Sequence, residues 1–439
     1  MSSMIELFKQ TPYLSYAYSY PHKTAYRLFE QPKQLSKLFA REKKDSLFLY
    51  LHIPFCEMRC GFCNLFTTID VKRDLESDYL DALTRQAKRV SRALGAAKFT
   101  RMAIGGGTPT FVSLQHLYTL FDIAEKIFAI NLQAIPISVE TSPLTAEPEK
   151  LRLLRERGVS RISIGVQSFI DAEVAAVGRS QKCQIVKQAL DHIRDCDFPA
   201  LNIDLMYGLP GQTAESWLKS LHQALQFSPE EIYIYPLYVR PLTGLNRTGK
   251  AWDDIRLTCY RAGREFLCSA GYRQVSMRMF QAPQVSTDNA PVYCCQNDGM
   301  IGLGCGARSY TREVHYSTEY ATGTAGIREI LADYIGRSDE QFDYADYGFT
   351  LDRDEQQRRF IIQSLLQVEG LFLPAYQDRF GSDPLVDFSL LKELINVGLA
   401  YKQDNLLRLT EQGIERSDNI GYGFYSERVY QLMESYALR

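Results

Sequence analysis

Six apolar, β-prone runs at 47–53, 101–105, 135–141, 161–166, 201–206 and 231–238 alternate with amphipathic segments near 75–94, 114–129, 148–157, 171–195 and 214–226, and another segment follows near 253–270. Strand and helix in strict alternation require right-handed crossovers and a parallel sheet. Six such units fall short of the eight that close a barrel. In folds of this kind the loops after the carboxyl ends of the strands share one mouth, and chemistry collects there. The residues able to do chemistry follow that rule: Cys56, Cys60 and Cys63 come after the first run, Gly105 to Thr108 end the second and Glu140 ends the third. Gln167 ends the fourth, Asp204 lies in the fifth, and Tyr235 and Tyr238 lie in the sixth.

The first of these loops is the most distinctive. In Tyr50-Leu51-His52-Ile53-Pro54-Phe55-Cys56-Glu57-Met58-Arg59-Cys60-Gly61-Phe62-Cys63 a short apolar strand runs into three cysteines spaced Cys-x3-Cys-x2-Cys. Thiolates so placed read as a metal-cluster loop. An ordinary iron–sulfur or structural zinc site takes four protein ligands, yet Asn64 and Leu65 offer no obvious fourth. One iron is left open to a small molecule.

The motif continues along the chain as Gly105-Gly106-Gly107-Thr108-Pro109-Thr110, Ser163-Ile164-Gly165-Val166-Gln167-Ser168-Phe169 and Asn202-Ile203-Asp204-Leu205-Met206-Tyr207-Gly208-Leu209-Pro210-Gly211-Gln212-Thr213. In these segments the chain resembles the radical S-adenosylmethionine (SAM) enzymes. Its lead-in Tyr50-x-His52-x-Pro54-Phe55-Cys56 resembles their oxygen-independent coproporphyrinogen III oxidase-like family. The resemblance implies an α/β fold, a partial six-unit (β/α) barrel with one open side, and a small winged-helix-like C-terminal domain. It also implies a [4Fe–4S] cluster on Cys56, Cys60 and Cys63, with the amino and carboxylate groups of SAM on the open iron. By match to the family's motifs, Tyr50, Phe62, Gly106, Gly107, Thr108, Glu140, Gln167, Arg179, Asp204 and Tyr238 fall at SAM-contacting positions. An electron donor such as flavodoxin or ferredoxin is the expected partner, with a small-molecule substrate.

Two departures bear on that substrate. The oxidase branch carries a further cysteine two residues after the third ligand, where this chain has Leu65. The haem-chaperone branch carries His-Asn-x-x-Tyr-Trp before its glycine-rich stretch, where this chain has Asp288-Asn289-Ala290-Pro291-Val292-Tyr293-Cys294. The expected activity is therefore oxidation or modification of a carboxylated, tetrapyrrole-like substrate by a separate branch, with a non-enzymatic haem or tetrapyrrole carrier as the alternative. Arg240 and Arg278 are the candidate carboxylate binders, because guanidinium forks match carboxylates.

The remaining expectations are organisational. Residues 1–45 form an arm packed on the surface, with a strand laid over the barrel mouth as the alternative, 46–280 the barrel, 281–350 a glycine- and cysteine-containing extension and linker, and 351–439 the C-terminal domain. Gly302, Gly304 and Gly306 lack the following helix and acid of a dinucleotide loop and are read as permitting close backbone approach near the cluster mouth. Cys183, Cys196, Cys259 and Cys268 are read as small buried apolar residues. Cys294, Cys295 and Cys305 are read as inert buried thiols, with a hydrogen-atom donor, a covalent attachment or a second metal site as alternatives. A formal net charge of −2 without a basic block argues against nucleic acid, and no run of about 18 apolar residues argues for a membrane span. A cytoplasmic location is expected.

Overall fold

The computed structural model describes residues 8, 12–14, 16, 17, 19–69, 73–248, 254–285 and 299–437. Its strands in chain order are β1 (Arg27–Gln34), β2 (Leu47–Ile53), β3 (Phe99–Gly106), β4 (Ile137–Thr141), β5 (Arg161–Gln167), β6 (Ala200–Tyr207), β7 (Glu231–Pro236), β8 (Arg273–Gln274), β9 (Met279–Gln281), β10 (Met300–Leu303), β11 (Arg308–Tyr310), β12 (Val314–Ser317), β13 (Tyr344–Thr350), β14 (Leu371–Phe372), β15 (Ala400–Gln403) and β16 (Leu406–Leu409). The first thirteen make one sheet in the order β1-β13-β12-β11-β10-β2-β3-β4-β5-β6-β7-β9-β8.

At its centre β2 to β7 run parallel in sequence order. Helices Arg73–Leu94, Leu114–Asp122, Pro148–Glu156, Cys183–Asp195 and Ala214–Leu225 make the crossovers. These are the six α/β units expected from the hydrophobic pattern. Their strands are rich in buried Leu, Ile and Val, among them Leu49, Leu51, Ile104, Val139, Ile164, Ile203 and Ile234. By register these residues share one face of the sheet, whereas Tyr50, Glu140, Asp204 and Tyr235 lie on the other.

The expected linker region does more than connect. β10 joins the parallel set beside β2, and β11, β12, β13 and β1 extend that flank antiparallel. Gly302, Gly304 and Gly306 permit close approach, as expected: a Cβ on Gly302 would lie 2.1 Å from Arg308 O, and one on Gly304 would lie 2.3 Å from the Tyr79 hydroxyl.

The expected surface arm is a correction. Phe8, Tyr13, Ala17, Tyr20 and Tyr26 are all buried, and Arg27–Gln34 is an edge strand of the main sheet. The Tyr20 hydroxyl donates to Glu355, and the backbone N–H of Ser426 donates to Tyr20 Oη at 3.3 Å. Large aromatic area drives the segment inward, and hydrogen-bond partners on the C-terminal domain receive its phenols.

Helix Arg353–Leu365, strand β14, helices Leu373–Phe380 and Ser389–Asn396, and the ribbon β15–β16 follow in winged-helix order. Among the described residues no helix is long and apolar enough to cross a membrane.

Candidate functional site

The cysteine loop leaves the end of β2 and is clamped by backbone bonds on both sides. Cys56 N donates to Thr68 O and Thr68 N to Pro54 O, while Gly61 N donates to Val177 O and Leu245 N to Gly61 O, all at 2.7–3.0 Å. Gly61 suits this clamp, since a Cβ there would sit 3.0 Å from Val177 O, a tight contact. Phe62 and Tyr235 pack on the small apolar cluster Val177, Met206, Leu209, Leu237 and Leu245 beside the loop.

The glycine run at the end of β3 fits against the loop. Gly107 N donates to Ile53 O at 2.7 Å and Thr108 N to Phe55 O at 2.8 Å. A Cβ on Gly107 would lie 2.5 Å from Phe55 O and 3.0 Å from Cys56 Sγ, and one on Gly106, where φ is +118°, would strike the His52 ring at 2.5 Å. The Thr108 hydroxyl lies 3.4 Å from Cys56 Sγ. His52 takes its tautomer from two partners: Nε2–H donates to Phe66 O at 3.2 Å, and Nδ1 accepts from the Tyr50 hydroxyl at 3.3 Å. Burial holds the ring down to about 4, so it is a neutral spacer.

Two carboxylates face the same mouth. Glu140 Oε2 accepts from Gly106 N at 3.1 Å; the side chain is recessed among protein atoms yet open to solvent. Asp204 accepts from the Ser163 hydroxyl at 3.2 Å and from Asn202 Nδ2 at 2.8 Å. Burial is the main cause that pushes Glu140 up to about 7 and Asp204 up to about 6, each also feeling nearby acidic charge. Gln167 ends β5 with φ +68°, a left-handed conformation unusual for a residue with a side chain and a recurrent mark of functional sites.

The other expected positions are placed as follows. Arg179 is buried, with Nη1 donating to Cys60 Sγ at 3.2 Å. The Tyr238 hydroxyl donates to Asp418 of the C-terminal domain, and the Arg240 guanidinium lies 4.8 Å from the Tyr238 ring centre. Arg278 is a correction: it forms a 2.6 Å ion pair with Asp418, the side chains being 2% and 0% exposed, so it ties the sheet to the C-terminal domain instead of meeting a substrate. Cys305 is buried, with Thr318 Oγ1 and Ile330 O each 3.8 Å from its sulfur. Cys294 and Cys295 lie outside the described residues. Cys259 is buried, Cys183 and Cys196 are partly buried, and Cys268 is exposed, contrary to expectation.

Sequence reasoning missed Lys23. This residue of the N-terminal segment reaches the cysteine loop, donating to Asn64 O at 3.0 Å, with Nζ 3.8 Å from the centre of the Tyr320 ring. Burial, then neighbouring Arg308, holds its ammonium down to about 7. Tyr16, from the same segment, lies under the Arg278 guanidinium at 4.4 Å. The surviving signal for both was the aromatic and basic run before Thr24, which carries no period.

Comparison with known proteins supports one lineage. A Radical SAM superfamily profile matches residues 50–224, and a HemN C-terminal domain profile matches 351–415. The heme chaperone HemW of Haemophilus influenzae is 33% identical over 274 residues, covering 60% of this chain and 70% of that protein. The chain belongs to the oxygen-independent coproporphyrinogen III oxidase-like family of radical SAM proteins. The oxygen-independent coproporphyrinogen III oxidase of Salmonella typhimurium is 28% identical over 423 residues, covering 91% and 90%. The structure of the Escherichia coli coproporphyrinogen III oxidase, a radical SAM enzyme, superposes with a TM-score of 0.82 at 26% identity, over 96% of this chain and 98% of that one.

The cofactors of this radical SAM protein are a [4Fe–4S] cluster and SAM, and the loop fits them. Among the described residues no three His, Cys, Asp or Glu groups gather around a single metal ion. Three thiolates that each bind a different iron of a cube need no such gathering. The bare cradle left by Gly107 against Cys56 keeps room above the sulfur, and the Arg179 guanidinium at Cys60 partly offsets the burial that pushes that thiol up.

The carboxylates give a testable consequence. Glu140→Ala and Asp204→Asn are each expected to weaken SAM binding roughly tenfold or more, the effect of losing a charged hydrogen bond worth about 1.5–3 kcal/mol, while the cluster absorption stays intact. Both carboxylates have raised values and are ionised only above them, so SAM affinity in the parent should fall as pH drops through 7 and then 6. Equilibrium dialysis with labelled SAM measures this; a flat profile in the parent, with unchanged affinity in both variants, removes these residues from the site.

Proposed function

We propose that this protein is a radical SAM oxidoreductase acting on a carboxylated, tetrapyrrole-like small molecule. When bound, the cluster and SAM supply reductive cleavage of the sulfonium to a 5′-deoxyadenosyl radical, chemistry that belongs to the cofactors. The chain's own residues do the rest. Glu140 and Asp204 are assigned to the amino and ribose groups of SAM, with Tyr50, Phe62, Gly106, Gly107, Thr108, Gln167, Arg179 and Tyr238 lining its place. The N-terminal segment and the C-terminal domain shield the mouth from water, which preserves a radical against side reaction.

The observation that carries the substrate class is the pair of cations left at the mouth. Lys23 contacts a backbone carbonyl and a ring, and Arg240 contacts the Tyr238 ring. Among the described residues neither has a carboxylate partner. A recessed lysine without a counter-charge tends to neutralise, as Lys23 does, and a recessed cation is costly unless a ligand brings an opposite charge. A substrate carboxylate would do so.

Coproporphyrin offers a direct test, because its tetramethyl ester has the same ring without the charges. The acid is expected to bind, the ester at least tenfold more weakly, and Lys23→Met with Arg240→Met is expected to erase the difference; equal binding of acid and ester by the parent contradicts the reading. With Leu65 at the altered flank, reduced protein given SAM and coproporphyrinogen III is expected to form protoporphyrinogen IX slowly at most. Rapid stoichiometric conversion would place the protein among the oxidases. The carrier reading draws on the H. influenzae relative, and haem binding without any SAM cleavage would favour it.

A further inference from the structure

Arg179 is held from several sides within the wall of the mouth. Its Nε and Nη2 donate to Gln181 Oε1 at 3.0 and 2.7 Å, Nη2 donates to Gly165 O at 2.8 Å, and Nη1 donates to Cys60 Sγ at 3.2 Å. Gln181 is pinned in turn, its Nε2 donating to Val166 O at 2.5 Å. Both side chains are buried. Among the described residues no carboxylate lies within ion-pair distance of this guanidinium.

A guanidinium cannot shed its proton in a protein, so its burial has to be offset by an opposite charge. Gly165 and Gln181 supply dipoles. Cys60 is the one contact among these that can become an anion, and it does so as an iron ligand. Hydrogen bonds and positive charge at ligating sulfurs stabilise the extra electron of a reduced cluster and raise its potential.

We propose that Arg179 is a positioning residue for the cluster itself: its guanidinium fixes the Cys60 thiolate and makes the one-electron reduction of the [4Fe–4S] centre easier before SAM arrives. The electron comes from the external reductant, and the added negative charge is shared between the cluster and its Cys60 ligand beside the cation. This goes beyond a SAM contact for Arg179, and it rests on the cofactor assignment above.

The test is a redox titration of reconstituted protein without SAM, followed by electron paramagnetic resonance of the reduced cluster. Omitting SAM removes any SAM contact as a cause. Arg179→Gln is expected to change the oxidised-to-reduced ratio at fixed potential at least tenfold toward oxidised, which for one electron is a midpoint about 59 mV more negative. Arg179→Lys, which keeps a charge, is expected to fall between the two. If Arg179→Gln retains no iron, Gln181→Leu carries the test, because it frees the guanidinium without touching a cysteine; a smaller shift of the same sign is expected. An unmoved midpoint in iron-loaded variants overturns the proposal. A parent protein that binds no cluster would instead overturn the cofactor assignment.

Discussion

Replacing Cys56, Cys60 and Cys63 together with alanine is expected to take anaerobically reconstituted protein from about four irons per chain to none, with the broad visible absorption of the cluster lost alongside. The effect is large because these three thiolates are the ligands the cluster would take from the protein, and the loop's next hydroxyl, Thr67 Oγ1, lies 3.9 Å from Cys63 Sγ and is a weak neutral ligand. Replacing Cys183 and Cys196 should leave iron content unchanged. These residues sit at the two ends of the helix Cys183–Asp195, on the crossover between β5 and β6. Iron measured by a colorimetric assay decides it. Four irons in the triple variant, or their loss on replacing Cys183 and Cys196, would move the cluster elsewhere.

The second large effect is on stability. Arg278→Ala is expected to destabilise the protein by about 3–5 kcal/mol, because it strands the fully buried Asp418 carboxylate without its ion-pair partner. The Tyr238 hydroxyl would remain as a donor to Asp418, which makes the lower end of that range the floor for a site that relaxes. Adding Asp418→Leu should recover much of the loss, since replacing both members of a buried pair by apolar groups is often nearly neutral. Urea unfolding followed by circular dichroism measures both variants. A change under about 1 kcal/mol in Arg278→Ala, the usual range for an exposed pair, would mean that the guanidinium is not committed to the domain junction and would restore it as a substrate ligand.

The central strands were legible as short β-prone runs set between amphipathic helical segments, with alternate residues buried, as in Ile137–Thr141 and Glu231–Pro236. The run at 47–53 became Leu47–Ile53, that at 161–166 became Arg161–Gln167, and that at 201–206 became Ala200–Tyr207. The strands missed are those without such a signature. Arg27–Gln34 is an edge strand whose sequence RLFEQPKQ has no buried residue, and polar residues with a proline are the ordinary composition of an edge. Met300–Leu303 is short and runs into alternating glycines, which read as a loop.

The same division holds at the site. Residues at the ends of β2 to β6 could be placed because a parallel sheet brings consecutive strand ends together. Lys23 meets Asn64 across 41 positions, and Arg278 meets Asp418 across 140. Contacts of that kind depend on where an arm and a separate domain dock, and no periodicity encodes it. Arg179 falls between: its position matched a motif, whereas its contact with Cys60 needed the turn at Val177 and Gly178 that packs against Gly61.

The most direct measurement of the account is 5′-deoxyadenosine formed by anaerobically reduced, cluster-loaded protein supplied with SAM and fractions of a small-molecule extract. The account predicts that 5′-deoxyadenosine accumulates with the cluster-loaded parent and not with the triple cysteine variant, and that its yield rises with a fraction containing a carboxylated compound that is consumed in step. Protein that holds its cluster and SAM, binds haem, and forms no 5′-deoxyadenosine with any fraction would contradict it.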